Sequence, residues 1–325
     1  MRVVFLGTPE FAVPSLAALA RRFDVALVLT QPDRPKGRGR HLAEPPVKSL
    51  ACSLGLPVLQ PAKLDETGMR PHFEQASAEA LVVVAYGLKI PDWLIRMHPR
   101  GAINVHGSLL PAYRGAAPVN RAIINGDAET GVTTMLLAAR MDAGPMLLQR
   151  RTPIGPEETA GEISARLAEL GAGLLVVTLD GLASGIVQPR EQDEALATSA
   201  PKLNKEDGLI DWTRGAREIV DLVRGVNPWP GAYTLLDGRP LKIWKASVAA
   251  RPALPTGAKS VPGAAAAVTA CPGTVLAASL HEGLLVACGN GEAVTLLNVQ
   301  TEGKKPLTTP EFLRGRSLPA GTILA

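Results

Sequence analysis

The sequence has few cysteines and no long apolar run, and each shortage excludes a class of protein. Its three cysteines are an odd number, lie far apart and include no CxxC pair, which disfavours both a disulfide framework and a zinc site; they are Cys52, Cys271 and Cys288. No apolar run approaches the ~18 residues of a transmembrane helix. The apolar start after Met1 is too short for a signal peptide. We therefore expect a cytoplasmic protein without a membrane partner or a bound metal.

The motifs of the common nucleotide-binding loops are also missing. Gly7-Thr8-Pro9-Glu10 follows the first apolar run, where a dinucleotide fingerprint would lie, but it has one glycine and not GxGxxG. Without the second glycine the backbone cannot come close to a pyrophosphate. The Walker A spacing is absent as well. We expect no nicotinamide or flavin cofactor.

Length and charge suggest two domains. The 325 residues, of which 46% are hydrophobic, are enough for a large core. Residues 1–200 hold 20 basic and 20 acidic side chains, whereas residues 201–325 hold 14 and 10, which is the whole net charge of +4. This excess indicates an anionic partner for the second part, although ordinary scatter of surface charge explains it equally well.

The first half of the chain alternates short apolar runs with amphipathic segments. Strands are predicted at 2–6, 25–29 and 80–85, and helices at 11–22 and 158–182. Fully apolar strands separated by helices are typical of a parallel sheet covered on both faces, so we predict an α/β domain over residues 1–188. In such sheets ligands bind beyond the carboxyl ends of the strands.

The second half has a different pattern. Residues 189–204 are polar and without periodicity, which is typical of a linker. Short strand-like runs then follow at 208–212, 232–236, 241–248, 273–278, 283–287 and 293–299, and only 216–226 has a helical pattern. This series predicts a small β-barrel or sandwich over residues 205–325. An Ala/Pro/Gly-rich insertion at 249–272 predicts an irregular loop.

One apolar run, in the sequence NVHGSLLP, ends on two polar side chains. Asn104 and His106 are two positions apart, so on a strand they project to the same face. A histidine of this kind is more often structural than catalytic, and Asp142, before Ala-Gly-Pro, is equally consistent with a turn residue. If the fold brings Asp142 to His106, the three side chains would suit chemistry at a carbonyl, where such donors stabilise a developing oxyanion.

A covalent intermediate is disfavoured. No serine or cysteine with a base partner stands out, since the turn after His106 should direct Ser108 elsewhere. We therefore favour direct transfer to an incoming nucleophile.

A basic segment, QPDRPKGRGRHLAEPP, occupies residues 31–46. Arg34, Lys36, Arg38 and Arg40 fall within seven positions, among glycines and prolines that cannot pack into a core. We predict a mobile basic loop that contacts an anion; the alternative is a loop that is simply solvated.

Longer stretches of the sequence resemble the 10-formyltetrahydrofolate-dependent formyltransferases. The resemblance runs from about residue 2 to residue 315 and rests on ordered motifs in both halves. In the first half they are GTPEF (7–11), QPDRPKGRG (31–39), VVVAYGLKIP (82–91), NVHGSLLP (104–111), YRGAAP (113–118), GDAETGVT (126–133) and MDAGPML (141–147). In the second half they are KLNKEDGLIDW (202–212), NPWPGAY (227–233), PGTV (272–275) and EGKKP (302–306).

The resemblance implies a Rossmann-like first domain, an OB-like second domain that holds tRNA, and roles for individual residues. Its catalytic residues would be Asn104, His106 and Asp142. Those implied for folate binding are Ser108, Leu109, Leu110 and Pro111 in one turn, and Ala85, Tyr86 and Gly87 near the pterin pocket. Those implied for the tRNA acceptor end are Arg34, Lys36, Arg38, Arg40 and Lys48.

The implied reaction moves a formyl group from the co-substrate 10-formyltetrahydrofolate to the α-amino group of methionine on initiator Met-tRNA, for translation initiation. It would proceed by direct attack through a tetrahedral intermediate. Other acceptors stay open, namely an amino sugar, glycinamide ribonucleotide or water, and the alternative from another class is a non-catalytic RNA-binding protein. Nothing in the pattern demands a dimer, so a monomer is expected. The departures from the family pattern, at Ala112, Ala143, His41 and Glu44, remove no catalytic group.

Overall fold

A computed structural model describes residues 1–36, 41–249, 270–280 and 283–325. The chain forms two compact units. The first unit consists of Met1–Val119, Ala128–Ile154 and Glu162–Lys202, and the second of Asn120–Asp127, Gly155–Gly161 and Leu203–Ala325. The domain boundaries drawn from the sequence, with a linker at 189–204, stay a prediction. In the structure residues 189–202 belong to the first unit.

A seven-stranded sheet forms the centre of the first unit. The strands up to residue 153 are β1 (Arg2–Gly7), β2 (Asp24–Leu29), β3 (Arg34–Lys36), β4 (His41–Ala43), β5 (Val58–Leu59), β6 (Ala80–Val84), β7 (Ala102–His106), β8 (Glu129–Leu136) and β9 (Met146–Pro153). The helices up to residue 183 are α1 (Val13–Arg22), α2 (Pro46–Ser53), α3 (Glu66–Ala76), α4 (Asp92–Ile95), α5 (Pro118–Ile124) and α6 (Ala160–Ala183). The sheet order is β5-β2-β1-β6-β7-β8-β9. The strands from β5 to β7 are parallel, and β8 and β9 extend the sheet antiparallel.

Alternate residues of β1 pack on opposite faces of this sheet. Val3 and Phe5 belong to one buried cluster, with Leu16 and Leu19 of α1. Val4 and Leu6 belong to another, with Met69 and Phe73 of α3. Burying each such side chain contributes roughly 1.5–3 kcal/mol, so a fully apolar strand is stable here only because helices cover both faces. The predicted α/β class is confirmed.

The strand order positions the site. β1 lies between β2 and β6, so the chain leaves β1 on one side and later returns to its other side. Open α/β sheets bind ligands beyond the carboxyl ends of the strands at such a reversal. Thr8 follows β1 and Ala85 follows β6 at this edge, which is called the carboxyl edge below.

Two parts of the basic segment form regular structure, which the prediction of a mobile loop did not include. β3 and β4 pair antiparallel, with Arg34 opposite Ala43 and Pro35 opposite Leu42. Residues 37–40, which join the two strands, lie outside the described residues. Prolines and glycines disfavour a helix in this segment. The backbone N–H and C=O groups are satisfied by pairing between the two strands instead.

The second unit is built on an antiparallel sheet, which confirms the predicted β domain. Its strands are β10 (Ala232–Leu236), β11 (Arg239–Val248), β12 (Val275–Ser279), β13 (Gly283–Ala287), β14 (Ala293–Thr301) and β15 (Leu307–Thr308), and its helices are α7 (Ala216–Gly225) and α8 (Thr309–Gly315). The order is β10-β11-β14-β13-β12, and β15 pairs with β14.

Two local predictions for the second unit were wrong. Residues 208–212 form no strand; a 3-10 turn at Glu206–Gly208 leads instead to an isolated bridge between Leu209 and Tyr233. Helix α8 was missed, although Thr308 and Glu311 form a capping box at its start. The insertion at 249–272 lies outside the described residues except at its two ends. Within the described ranges no helix is long and apolar enough to cross a bilayer.

Candidate active site

Two polar side chains end the buried strand β7. Every residue of this strand is buried, and Asn104 and His106 are 9% and 6% exposed. They project to one face because strand residues two apart do. Apolar side chains fill the rest of β7, so this pair is the polar end of a hydrophobic strand at the carboxyl edge.

The amide of Asn104 is not hydrogen-bonded by the residues that the structure describes. No residue in the described part of the chain forms a hydrogen bond with its side chain. The atoms of this amide are not among the fully buried atoms without a partner, so they remain open to solvent. Its donor and acceptor are therefore available to a ligand.

Both nitrogens of the His106 ring face protein oxygens. Nε2 lies 2.9 Å from the carbonyl oxygen of Tyr113. Because a carbonyl only accepts, Nε2 carries a proton and donates it. Nδ1 lies 3.6 Å from Oδ2 of Asp142, which is within ion-pair range but longer than a hydrogen bond. A proton on Nδ1 would point towards this carboxylate.

Asp142 is held by the main chain of a second loop. Its Oδ2 accepts a hydrogen bond from the backbone N–H of Gly115 at 2.9 Å, and its side chain is 13% exposed. Its φ of 51° is left-handed, a conformation that costs a non-glycine residue about 1–3 kcal/mol and is found mostly where function or turns require it. The structure thus brings Asn104, His106 and Asp142 together, while their catalytic role stays a prediction.

The turn after β7 is fixed by hydrogen bonds. The Ser108 hydroxyl is fully buried and donates to the carbonyl oxygen of Ala112 at 2.6 Å. Thr133 accepts from the Leu110 backbone N–H at 3.1 Å and donates to the Ser108 carbonyl at 2.7 Å. Leu109 and Pro111 are half-buried. The Ser108 hydroxyl therefore has no access to a substrate.

The three residues after β6 point in different directions. Ala85 and Gly87 are exposed at the carboxyl edge, whereas Tyr86 is 2% exposed and its ring lies in the apolar cluster on one face of the sheet. Burial raises the pKa of Tyr86 to about 12. The Thr8 hydroxyl donates to the Tyr86 carbonyl at 2.8 Å. The main chain of Tyr86, but not its side chain, is therefore placed to contact a ligand.

The predicted tRNA-binding residues do not form one described cluster. Arg34 donates to Gln31 at 3.0 Å. Lys48 Nζ lies 2.7 and 2.9 Å from the two carboxylate oxygens of Asp33. Hydrogen bonds from Gln60 and then Lys48 lower the pKa of Asp33. The charge of Lys48 is thus partly neutralised, while Arg38, Arg40 and the side chain of Lys36 lie outside the described residues.

Comparison with known proteins decides the family. The pattern of the family described as formyl transferase matches residues 1–179, and that of the formyl transferase C-terminal domain matches residues 202–317. The chain belongs to the formyl transferase family. Curated methionyl-tRNA formyltransferases from Solibacter usitatus and Geobacter sulfurreducens are 50% and 45% identical to it, over 98% and 100% of this chain and 96% of each relative. The family predicted from the motifs is confirmed.

A solved relative agrees in fold. The N-formyltransferase from Helicobacter canadensis, in complex with folinic acid and dTDP-3-aminofucose, is 15% identical with a TM-score of 0.66, over 91% of this chain and 98% of that one. At this identity the likeness shows the fold alone. It gives no preference for a sugar acceptor in this family member.

Sequence reasoning missed the residues that hold the site together. Tyr113 and Gly115 supply the main-chain partners of His106 and Asp142, and Gln192 and Arg114 link the loops that carry them. No local signal identifies such residues, because their partners are distant in the sequence. In the described part of the chain no three His, Cys, Asp or Glu side chains are arranged to hold a metal ion.

Proposed function

We propose that this protein transfers a formyl group from 10-formyltetrahydrofolate to the α-amino group of methionine on initiator Met-tRNA. The observation that carries the proposal is the amide of Asn104, to which no described residue is hydrogen-bonded, beside a His106 ring held by Asp142 and a main-chain carbonyl. The full-length relatives named as methionyl-tRNA formyltransferases support this acceptor over the others considered.

The amide of Asn104 donates to the formyl oxygen as that oxygen gains negative charge. The donor lies on a buried strand and is mostly shielded from solvent, so it pays little reorganisation during the reaction. Removing one donor of this kind typically raises the barrier by about 2.7–4 kcal/mol. Asn104 therefore has the largest direct effect on turnover in this proposal.

His106 acts through Nδ1. Its Nε2 proton is used by the Tyr113 carbonyl at 2.9 Å, whereas Nδ1 is 3.6 Å from Asp142 and not in a full hydrogen bond. A proton on Nδ1 is the one that can be shared with a substrate. Asp142 fixes the ring and helps to move a proton, directly or through water, from the attacking amine to N10 of the folate. The bond between the amine and the formyl carbon forms, the bond between N10 and the formyl carbon breaks, and tetrahydrofolate leaves.

A strong general base is unnecessary. The α-amino group of an ester-linked amino acid titrates near or below the ~7.7–8.0 of a free terminus, so much of it is already unprotonated at neutral pH. Positioning and electrostatics carry the rate. The folate supplies an activated formyl group; the chain supplies its orientation and the donors.

The carboxyl edge offers backbone groups to a polar ligand. Ala85 and Gly87 have φ values of 46° and 93°. In the described part of the chain, Gly87 and the next two residues use no backbone–backbone hydrogen bond. β6 pairs with β7, with Val83 opposite Asn104, so the segment that follows β6 leaves the sheet at the same edge as His106. Its backbone groups would hold the pterin with the turn Ser108-Leu109-Leu110-Pro111.

The tRNA binds through charge. Arg34, Lys36, Arg38, Arg40 and Lys48 neutralise phosphates near the acceptor end, and the positive excess of residues 201–325 supports contact with the rest of the molecule. Such contacts give an affinity that falls with salt and carry little sequence information. The proposal includes a cytoplasmic location, where translation begins, and a monomer.

One assay tests the proposed function. The protein is incubated with labelled 10-formyltetrahydrofolate and, in parallel, with initiator Met-tRNA, a dTDP-linked amino sugar, glycinamide ribonucleotide or buffer. Label on Met-tRNA is expected, at a rate far above that of the other acceptors. Label on the sugar, on the nucleotide or in free formate would replace the proposed acceptor.

A further inference from the structure

Residues 190–200, called the strap here, run beside both loops that hold the His106 ring. Towards the loop of Asp142, Arg190 and Met146 exchange two backbone hydrogen bonds of 2.8 Å. The side chain of Gln192 then donates twice, to the carbonyl oxygens of Asp142 at 2.8 Å and Gly144 at 2.7 Å. This loop is therefore fastened to the strap by main chain and by one amide.

The strap also binds the loop of Tyr113. The Tyr113 backbone N–H donates to the hydroxyl of Thr198 at 2.8 Å. Arg114 and the strap exchange two backbone bonds, to the carbonyl of Thr198 at 2.8 Å and from the N–H of Ala200 at 2.7 Å. The loop that supplies the carbonyl for His106 thus pairs with the same segment.

Gln192 joins the two sets of contacts. Its Oε1 accepts two hydrogen bonds from the Arg114 guanidinium, at 3.0 Å from Nε and 2.8 Å from a terminal nitrogen. With its two donated bonds, both amide hydrogens and the amide oxygen are used. Gln192 and Arg114 are 9% and 8% exposed, so these bonds are shielded from water.

The charge of Arg114 is balanced on its outer side. Its guanidinium lies 2.8 Å from Glu194 and lowers the pKa of that carboxyl. Arg140, in the Asp142 loop, also contacts Glu194 at 2.8 Å. Buried Arg114 is therefore held in place by a neutral acceptor and an acid that belong to the same strap.

We infer that Gln192 is a positioning residue that sets the distance between Asp142 and His106. It acts directly on the loop that carries Asp142, and it acts through Arg114 on the loop that carries Tyr113. The two oxygens that face the His106 ring belong to these loops, and Gln192 is bonded to both. Asp142 and Tyr113 both have left-handed φ values, 51° and 63°, which the surrounding bonds must maintain. The inference rests on the proposed formyl transfer.

The test compares Gln192→Met with Gln188→Met. Methionine keeps the length of the side chain and removes the amide. Gln188 is an exposed residue whose amide donates to the Gly185 carbonyl at 2.8 Å, so its replacement removes the same kind of bond away from the site. We expect Gln192→Met to lower kcat by about 10–100-fold, because a misplacement of 1 Å can cost about 100-fold, with both KM values within about twofold. Gln188→Met should match the wild type.

A double-mutant cycle separates positioning from a general loss of structure. If Gln192 acts through Asp142, Gln192→Met should reduce kcat little further in an Asp142→Asn background. Equal fold losses in both backgrounds would overturn the inference. Gln192→Glu, which keeps the acceptor for Arg114 and loses both donated bonds, should behave like Gln192→Met; wild-type turnover in either variant would also overturn it.

Hydrogen exchange gives a readout that needs no substrate. In Gln192→Met, amides at 111–117 and 140–146 should exchange faster than in the wild type, whereas Gln188→Met should leave both segments unchanged. Unchanged exchange in Gln192→Met would overturn the inference whatever the activity. A wild type that forms no formyl-Met-tRNA would instead defeat the proposed function.

Discussion

The Nε2 of His106 lies 2.9 Å from the carbonyl oxygen of Tyr113, a residue seven positions later with a φ of 63°. This contact fixes one proton of the ring, because the carbonyl can only accept. The opposite nitrogen is thereby directed to Asp142, whose carboxylate is itself held by the Gly115 N–H. Two main-chain groups of one loop, the Tyr113 carbonyl and the Gly115 N–H, thus hold the ring and its acidic partner.

Replacing Asn104 or His106 with alanine should lower kcat by at least about a hundredfold while both substrates still bind, because the lost groups act on charge that develops during the reaction. Steady-state kinetics with varied folate and varied Met-tRNA measures both effects. His72→Ala, at an exposed position on α3, is the control and should retain activity. Near-normal turnover in either site variant would remove that residue from the mechanism.

Gly115→Ala should damage both stability and turnover. A Cβ there would lie 2.5 Å from the carbonyl oxygen of Ala200, at a φ of 130° that disfavours side chains. Gly185, with a φ of 73° and open space around it, is the control for the conformational cost alone. We expect Gly185→Ala to lower the free energy of unfolding by about 1–2 kcal/mol, and Gly115→Ala to lower it by about 1–3 kcal/mol more. The kcat of Gly115→Ala should also fall, because the N–H that holds Asp142 moves.

Denaturant unfolding and initial rates check this prediction. Equal destabilisation of the two alanine variants would show that Ala200 can move away without cost. Wild-type kcat in Gly115→Ala would show that the hydrogen bond to Asp142 does not position the carboxylate.

Regular elements followed directly from the hydrophobic pattern. The strand predicted at 283–287 coincides with β13, and that at 2–6 differs from β1 by one residue. Fully apolar strands have an unmistakable composition once both faces are buried. Helix α8 could have been predicted as well, since Thr308, Pro310 and Glu311 are the residues of a helix start.

The approach of Asp142 to His106 could not be derived from strand pairing. β8 runs antiparallel to β7, and Leu136, at its carboxyl end, lies opposite Ile103, at the other end of β7 from the imidazole. The following loop must fold back, and the hydrogen bonds from Gln192 that hold it come from 48 and 50 positions away. Sequence patterns show local periodicity. A single amide that bonds to residues so far away in the sequence produces no periodic pattern.

Tyr86→Phe should stabilise the protein. The Tyr86 hydroxyl is buried and, in the described part of the chain, has no hydrogen-bond partner. Removing an unsatisfied buried hydroxyl should gain about 1 kcal/mol in the free energy of unfolding, without changing the folate KM, because the ring lies in the core. The half-exposed Tyr233 provides the control, and Tyr233→Phe should change stability by less than about 0.5 kcal/mol.

The pH dependence of this effect has a defined sign. Burial raises the pKa of Tyr86 from 10.0 to about 12, so an unfolded chain loses the phenol proton at lower pH than the folded one. The wild type should therefore lose stability, relative to Tyr86→Phe, as the pH rises above 10. Urea unfolding across this range measures the difference. A constant difference would show that burial does not raise the pKa of this phenol, and a raised folate KM in the variant would show that the hydroxyl contributes to folate binding.

Replacing Arg38 and Arg40 together with alanine should weaken the use of tRNA and leave folate affinity intact. The slope of log K against log salt is negative, and each removed phosphate contact should make it shallower by about 1. The measurement is the tRNA KM at several salt concentrations, with the folate KM as the internal reference. Arg21 and Arg96, two exposed arginines elsewhere in the first unit, are replaced together as the control for the loss of two charges.

The comparison with this control decides whether the basic segment acts locally or only through net charge. If the basic segment contacts the acceptor end, the tRNA KM should rise severalfold in Arg38→Ala/Arg40→Ala and much less in Arg21→Ala/Arg96→Ala, since screening at physiological salt confines charge effects to about 8 Å. Equal increases of the tRNA KM in the two double variants would show that the arginines attract tRNA through net charge alone, without a specific contact. An unchanged tRNA KM at physiological salt would remove both arginines from tRNA binding.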